Sequence, residues 1–175
     1  MRNLLMLSLV VPILATLSFN AAYAELSEKH VQVALRSIKF ITPKIGSGAS
    51  VAVVYADGDA ASKATAESIA AFINSGKAVR KIKLNAKAVS SSGDLSGTRI
   101  TLFTDGAMAQ VDSVSAAAKS NNSIGVASDT ACTQSGKCVL SIQTKPKVQI
   151  FLNAAAAGET GVSFSNAFMM LVKKH

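Results

Sequence analysis

The chain has 175 residues, enough for one domain with a real hydrophobic core. It carries 18 Lys and Arg against 10 Asp and Glu, no Trp and few aromatics. A basic excess without side chains to stack on bases argues against nucleic acid, and for an anionic envelope surface or an acidic protein face.

The chain opens with Arg2, an apolar run from Leu4 to Leu17, and Ala22-Tyr23-Ala24. A positive start, an apolar core and a small-x-small end are the pattern of a secretory signal, here cut after Ala24. The run is shorter than the roughly 20 residues needed to span a bilayer, and Pro12 interrupts it. The expectation is a signal peptide over 1–24 and a single exported domain over 25–175.

Ser27 is placed to cap a first helix, with Leu26 and Val31 at the positions of a hydrophobic staple. Val31, Ala34, Leu35 and Ile38 follow at helical spacing, and the helix should end before Pro43. Ser50 to Ala56 is a continuous apolar run, the pattern of a strand buried on both faces in a parallel sheet. Asp57-Gly58-Asp59 turns the chain, and Asp59 is a helix cap. Ala61, Thr65, Ser68, Ile69, Phe72 and Ile73 should face the sheet, with Gly76 as the stop.

Ala78 to Leu84 reads as a second strand, and Arg80, Lys81 and Lys83 within it mark a sheet edge. Asn85 to Thr98 reads as a small-residue loop. Arg99 to Thr104 is a third strand. A helix from Asp105-Gly106 should bury Ala107, Val111, Val114 and Ala118, and Asn121-Asn122 should end it before a fourth strand, Ser123 to Ala127. Two further strands, Cys138 to Gln143 and Val148 to Leu152, flank a short turn and should pair antiparallel. The predicted architecture is α/β: three layers, a mostly parallel sheet with helices on both faces, and a C-terminal antiparallel hairpin plus a last helix.

Export lets Cys132 and Cys138 pair. A loop so short is worth roughly 2–2.5 kcal/mol in the chain-entropy account, a local staple rather than the fold's main support. Two cysteines with no histidine nearby are too few for a metal site, and no cofactor motif is present. Asp57, Asp59 and Asp105 fall near the carboxyl ends of predicted strands, where open α/β sheets bind ligands. Together they are candidates for holding a cation, though capping by Asp59 and Asp105 and a turn role for Asp57 also account for them.

No catalytic residues emerge. His30 falls in the first helical turn, His175 is terminal, and there is no Gly-x-Ser-x-Gly elbow. The stripe of Phe164, Phe168 and Leu171 reads as core for the last helix. Where exposed, Phe164, Phe168, Met169 and Met170 are candidates for contact with a partner.

The segment Val148-Gln149-Ile150-Phe151-Leu152-Asn153, its alanines, and Gly161-Val162-Ser163-Phe164-Ser165 with the apolar residues to Leu171 resemble the carboxyl end of the YfiR-like family. Lys39 to Pro43 is similar to that family's Phe-to-Pro ending of the first helix. Cys132 and Cys138 resemble its cysteine pair before the final hairpin. The chain departs from the family in having Thr42 before Pro43 where Trp is usual. Ile150-Phe151 replaces a Phe-Glu pair, and no cysteine precedes the third strand, so a second disulfide is impossible.

The resemblance implies a periplasmic, non-enzymatic and dimeric regulator. Such a protein binds the periplasmic domain of an inner-membrane signalling protein, such as a diguanylate cyclase or sensor kinase in cyclic-di-GMP signalling. Two other classes fit the residues: a small-solute-binding lobe, motivated by the strand-end aspartates, and a hydrolase with an unrecognised site.

Overall fold

The structure is a computed structural model that describes residues 25–175, so the expected signal segment lies outside the described residues. The first helix, α1 (Glu28–Ser37), begins after Ser27, whose N–H donates to His30 Nδ1 at 3.1 Å. Leu26 and Val31 are buried on either side of this start, and Val31, Ala34, Leu35 and Ile38 form its inner face. A single 3-10 turn, Ile38–Phe40, leads into a two-residue strand, β1 (Ile41–Thr42), ahead of Pro43.

Strand β2 (Ala49–Tyr55) is the apolar run expected from sequence. Val51, Ala52, Val53 and Val54 are all fully buried, alternating between two separate cores. Such a strand has helices or loops on both faces. Asp59 then caps α2 (Ala60–Asn74), accepting from the amides of Ala61 and Ser62 at 2.9 and 3.0 Å. The inner face is Ser62, Ala66, Ile69, Ala70, Phe72 and Ile73. The cap sets the helix one residue out of the predicted phase at its start, leaving Ala61 and Ser68 exposed and Thr65 half-buried. Gly76, at φ +75°, supplies the left-handed residue that ends it.

The edge strand differs from expectation. Residues 78–81 are bends and 82–83 are irregular, and strand β3 is Leu84–Ser90, mostly within the stretch expected as a loop. Lys81 sits at φ +73°, which an extended strand cannot contain. The register of β3 comes from its partner: it pairs in parallel with β2 along its whole length, from Ala49↔Leu84 to Tyr55↔Ser90. The chain returns through residues 91–97 without a helix, with buried Leu95 as its anchor on the second core.

Strand β4 (Thr98–Phe103) pairs in parallel with the other side of β2. A 3-10 turn, Gly106–Gln110, precedes α3 (Val111–Ser120), and Ala107, Val111, Val114 and Ala118 are buried as the pattern predicted. Strand β5 (Ile124–Ala127) joins β4 in parallel. A one-turn helix, α4 (Thr130–Gln134), carries Cys132, which is disulfide-bonded to Cys138. Strand β6 (Leu140–Gln143) is parallel to β5, and β7 (Gln149–Leu152) returns antiparallel to it.

The predicted last helix is broken into pieces. Asn153 caps α5 (Ala154–Glu159); strand β8 (Ser163–Phe164) pairs antiparallel with β1; α6 (Asn166–Met169) is one turn; β9 (Lys173–Lys174) lies parallel to β7. The pairing of Phe164 with Ile41 fixes it in a strand, so the stripe cannot continue as a helix.

The main sheet therefore has seven strands in the order β3-β2-β4-β5-β6-β7-β9, of which the first five run parallel. One face is covered by α1, α2 and α5, the other by α3, the disulfide and Leu95. This is the three-layer α/β architecture expected from sequence. The strand order reverses direction between β2 and β4, which makes their carboxyl ends the topological switch point.

Candidate functional site

At the switch point, a chain of buried hydroxyls ties α2 to the ends of β2 and β4. Thr104 Oγ1 donates to the Val54 carbonyl at 2.8 Å, and the Ala56 amide donates to Ser62 Oγ at 3.1 Å. Ser62 and Thr104 meet at 2.7 Å, and with the Thr104 proton committed, Ser62 is the donor. Gly106 allows this close approach. A Cβ there would lie 2.7 Å from Ser62 Oγ and 2.8 Å from Asp59 Oδ2.

Asp105 follows directly. It was read as a helix cap, but its side chain caps nothing; Ser128, just past the end of β5, donates to Asp105 Oδ1 at 2.8 Å. Burial pushes its carboxyl above the ordinary range. The Ser128 hydrogen bond, the Leu26 amide and the charge of His30 oppose that rise, and Glu25 adds to it. A carboxylate poorly solvated and incompletely compensated gains from a cationic partner.

Two clefts share Asp105 as a wall. One, of about 310 Å³, lies at the switch point and includes Glu25, Asp59, Thr65, Thr104 and Gly106. The other, of about 440 Å³, lies beside the disulfide and includes Met108, Val111, Asp129, Ala131 and Lys137. Both volumes fall in or near the range of small-molecule sites. The second cleft combines two carboxylates with an apolar wall, and the Lys137 ammonium at its rim is paired with Asp112.

Of the three aspartates singled out in the sequence, Asp59 and Asp105 line the same cleft and Asp57 lies outside it. Asp59 caps α2 through Oδ1. Asp57 accepts from the Ser91 hydroxyl and the Ser92 amide, both at 3.2 Å, and so pins the turn after β3. Hydrogen bonds, with Ser92 foremost, hold its carboxyl below the ordinary range. Among the described residues, no group of three or more His, Cys, Asp or Glu is placed to hold a metal ion.

His30 is the residue the sequence undervalued. It is 3 % exposed, and it links Ser27 at Nδ1 to Thr144 Oγ1 at Nε2, 3.1 Å away. Nδ1 accepts the Ser27 amide, so the proton lies on Nε2. Burial lowers its basicity, the Asp105 charge opposes this, and Lys29 reinforces it. Both ring nitrogens are engaged in structure. The signal was a helix N3 position with a serine three residues before it, but its distant partner Thr144 is not legible in sequence.

The partner-contact candidates divide. Phe164 and Phe168 are buried, and Phe168 stacks between Phe164 and Phe40 at centroid distances of 5.0 and 5.1 Å. Both are core, because the short α6 is pressed against the β1–β8 pair. Met169 is half-buried, while Met170 is 86 % and Leu171 80 % exposed. Leu171 borders a shallow groove with Val148, Ile150, Lys147 and Lys173. Among the described residues, no helix is long and apolar enough to cross a membrane.

The fold and these clefts define a doubly wound α/β domain with a ligand-sized site at its switch point. No protein-family model and no curated protein matches the sequence. Solved structures do match the fold. A conserved domain protein from Vibrio cholerae aligns with TM-score 0.60 and 17% identity, over 82% of this chain and 59% of that one. The ABC domain from Streptococcus pneumoniae, in complex with L-Trp, aligns with TM-score 0.56 and 14% identity, over 84% of this chain and 59% of that one. At such identities the likeness is one of fold. The chain thus spans about 59% of the length of each.

Proposed function

We propose that this is a non-enzymatic binding protein that takes a small amine-bearing solute with an apolar part against Asp105. The observation that carries this is the position of Asp105. It is a half-buried carboxylate with raised pKa, at the carboxyl end of β4 beside the strand-order reversal, shared by two clefts. The cleft beside the disulfide adds Met108 and Val111 for an apolar group, while the Lys137 ammonium on its rim is paired with Asp112. The likeness to a domain in complex with L-Trp supports the same class of ligand. A non-catalytic role agrees with the commitment of both His30 nitrogens to structural hydrogen bonds.

The test is a thermal-shift screen of free amino acids and amines against the protein and Asp105→Asn. A ligand at a hundred times its Kd adds about 2.7 kcal/mol to stability. A shift in the wild type that vanishes in Asp105→Asn is expected. No shift with any member of the set would overturn the solute reading.

The exposed Met170–Leu171 pair favours a second reading, the regulator implied by the YfiR-like tail. Its partner would be the periplasmic domain of an inner-membrane signalling protein, gripped at Val148, Met170 and Leu171 and steered by Lys147 and Lys173. Capture of such a protein from native membranes by the wild type, lost in Leu171→Asp, is the expected result. Equal capture by both would overturn this surface, and self-association lost in Leu171→Asp would assign it to a homodimer instead.

A further inference from the structure

We propose that the groove between α1 and the 77–83 connection is a docking surface for an anionic phospholipid bilayer. The groove, of about 680 Å³, is lined by Arg36, Lys39, Lys77, Arg80 and Lys81, and no acidic residue borders it. All five cations are exposed, and none takes part in the ion pairs found among the described residues. Gln32 and Arg36 of α1 and Lys39 of the 3-10 turn that follows line one wall of the groove, so its two walls carry one sign of charge.

The connection is built to hold this charge outward. Ala78 is 1 % exposed, and Val79 and Ile82 pack partly against the core, so the cations alternate with apolar anchors. At Lys81 the backbone adopts φ +73°, a conformation that favours Gly or Asn. A lysine kept in that conformation adds a charge to the rim at a cost in backbone strain.

The arrangement fits a surface better than a single anion. A fixed phosphate site needs donors that converge from a buried setting, whereas these five are spread and solvated. No aromatic side chain lines the groove for base stacking, which disfavours nucleic acid. Each basic residue near an anionic bilayer raises partitioning by about fivefold, and the effect is additive over spread charges. The inference is independent of the solute site, which lies at Asp105 between different elements.

The experiment is co-sedimentation of the protein with vesicles. Mixed phosphatidylglycerol–phosphatidylcholine vesicles should bind it, pure phosphatidylcholine should not, and salt of about 0.5 M should release it. Arg80→Ser with Lys81→Gly should lower partitioning roughly 25-fold, two charges at about fivefold each. Glycine also suits the left-handed backbone at this position, so the double variant keeps its fold. Lys63→Ser with Lys119→Ser removes two charges held in ion pairs elsewhere and should leave binding unchanged. Equal loss in both double variants would reduce the effect to net charge and overturn the proposal. So would equal binding to pure phosphatidylcholine, or displacement from vesicles by millimolar glycerol phosphate.

Discussion

Ser128 donates a 2.8 Å hydrogen bond to Asp105, joining the carboxyl ends of β4 and β5. The bond orients the carboxylate without fully offsetting its burial, which remains the dominant influence on its pKa. Asp105 therefore holds more protons folded than unfolded between the ordinary aspartate value and its raised one. Stability falls as pH rises through that window, starting from about pH 4. Asp105→Asn keeps an oxygen for Ser128 and removes the charge. It should melt at or above the wild-type temperature at pH 7 and lose the wild type's gain toward pH 4. Circular dichroism melts across this range would show it, and a large loss of stability in the variant would mean that the carboxylate supports the fold rather than the cleft.

His30 has the opposite linkage. Its pKa is lowered from 6.5 in the folded state, chiefly by burial. The unfolded chain then binds the extra proton, so stability is full above about pH 6.5 and declines as pH falls below it. His30→Gln should flatten that limb while costing about 1–2 kcal/mol at neutral pH through the weakened Ser27 and Thr144 contacts. Urea titrations at pH 5.5 and 7.5 on both proteins separate the two effects. An unchanged slope with pH in the variant would assign the acid limb to other groups.

What could be read in the sequence follows from how local each cause is. The α2 cap at Asp59, the α3 face of Val111, Val114 and Ala118 and the buried run Val51–Val54 are set by neighbours in the chain. Strand β3 escapes a local pattern because its two buried residues, Leu84 and Val89, face different cores with polar Asn85 and Lys87 between them; its register is dictated by seven backbone pairings with β2. Strand β9 is two lysines that pair only because Phe151 and Leu152 offer an edge. The site was half legible: Asp105 was marked by its position after β4, but its partner Ser128 lies 23 residues on. The tie between His30 and Thr144 spans 114 residues, and no local pattern encodes it.

The disulfide is buried as well as local. Cys132 is 2 % exposed and Cys138 is fully buried in the core beneath α3. Replacing both with Ser would lose the cross-link, worth roughly 2–2.5 kcal/mol, and bury two hydroxyls at about 1–3 kcal/mol each if unpaired. Cys132→Ala with Cys138→Ala isolates the cross-link and should cost no more than about 3 kcal/mol with the fold retained. Equilibrium urea unfolding of the two double variants tests this. Equal stabilities would mean that the buried hydroxyls find partners.

Asn153 couples α5 to the disulfide loop. Its Oδ1 accepts from the Ala156 amide at 2.8 Å, and its Nδ2 donates to the Thr133 carbonyl at 3.0 Å. Both ends of one amide are used, which explains Asn where Asp or Ser would cap equally well. Asn153→Ala should cost about 1–2 kcal/mol from the cap, plus a share from the Thr133 carbonyl left without its donor. Asn153→Asp is the sharper test. Asp matches Asn as an isolated cap, but here its second oxygen would face a carbonyl at hydrogen-bond distance. The Asp variant should therefore be no more stable than the Ala variant at neutral pH and should recover as the carboxyl is protonated in acid. Wild-type stability for Asn153→Asp at pH 7 would show that the cap carries the whole contribution and that α5 and the loop are held together by packing alone.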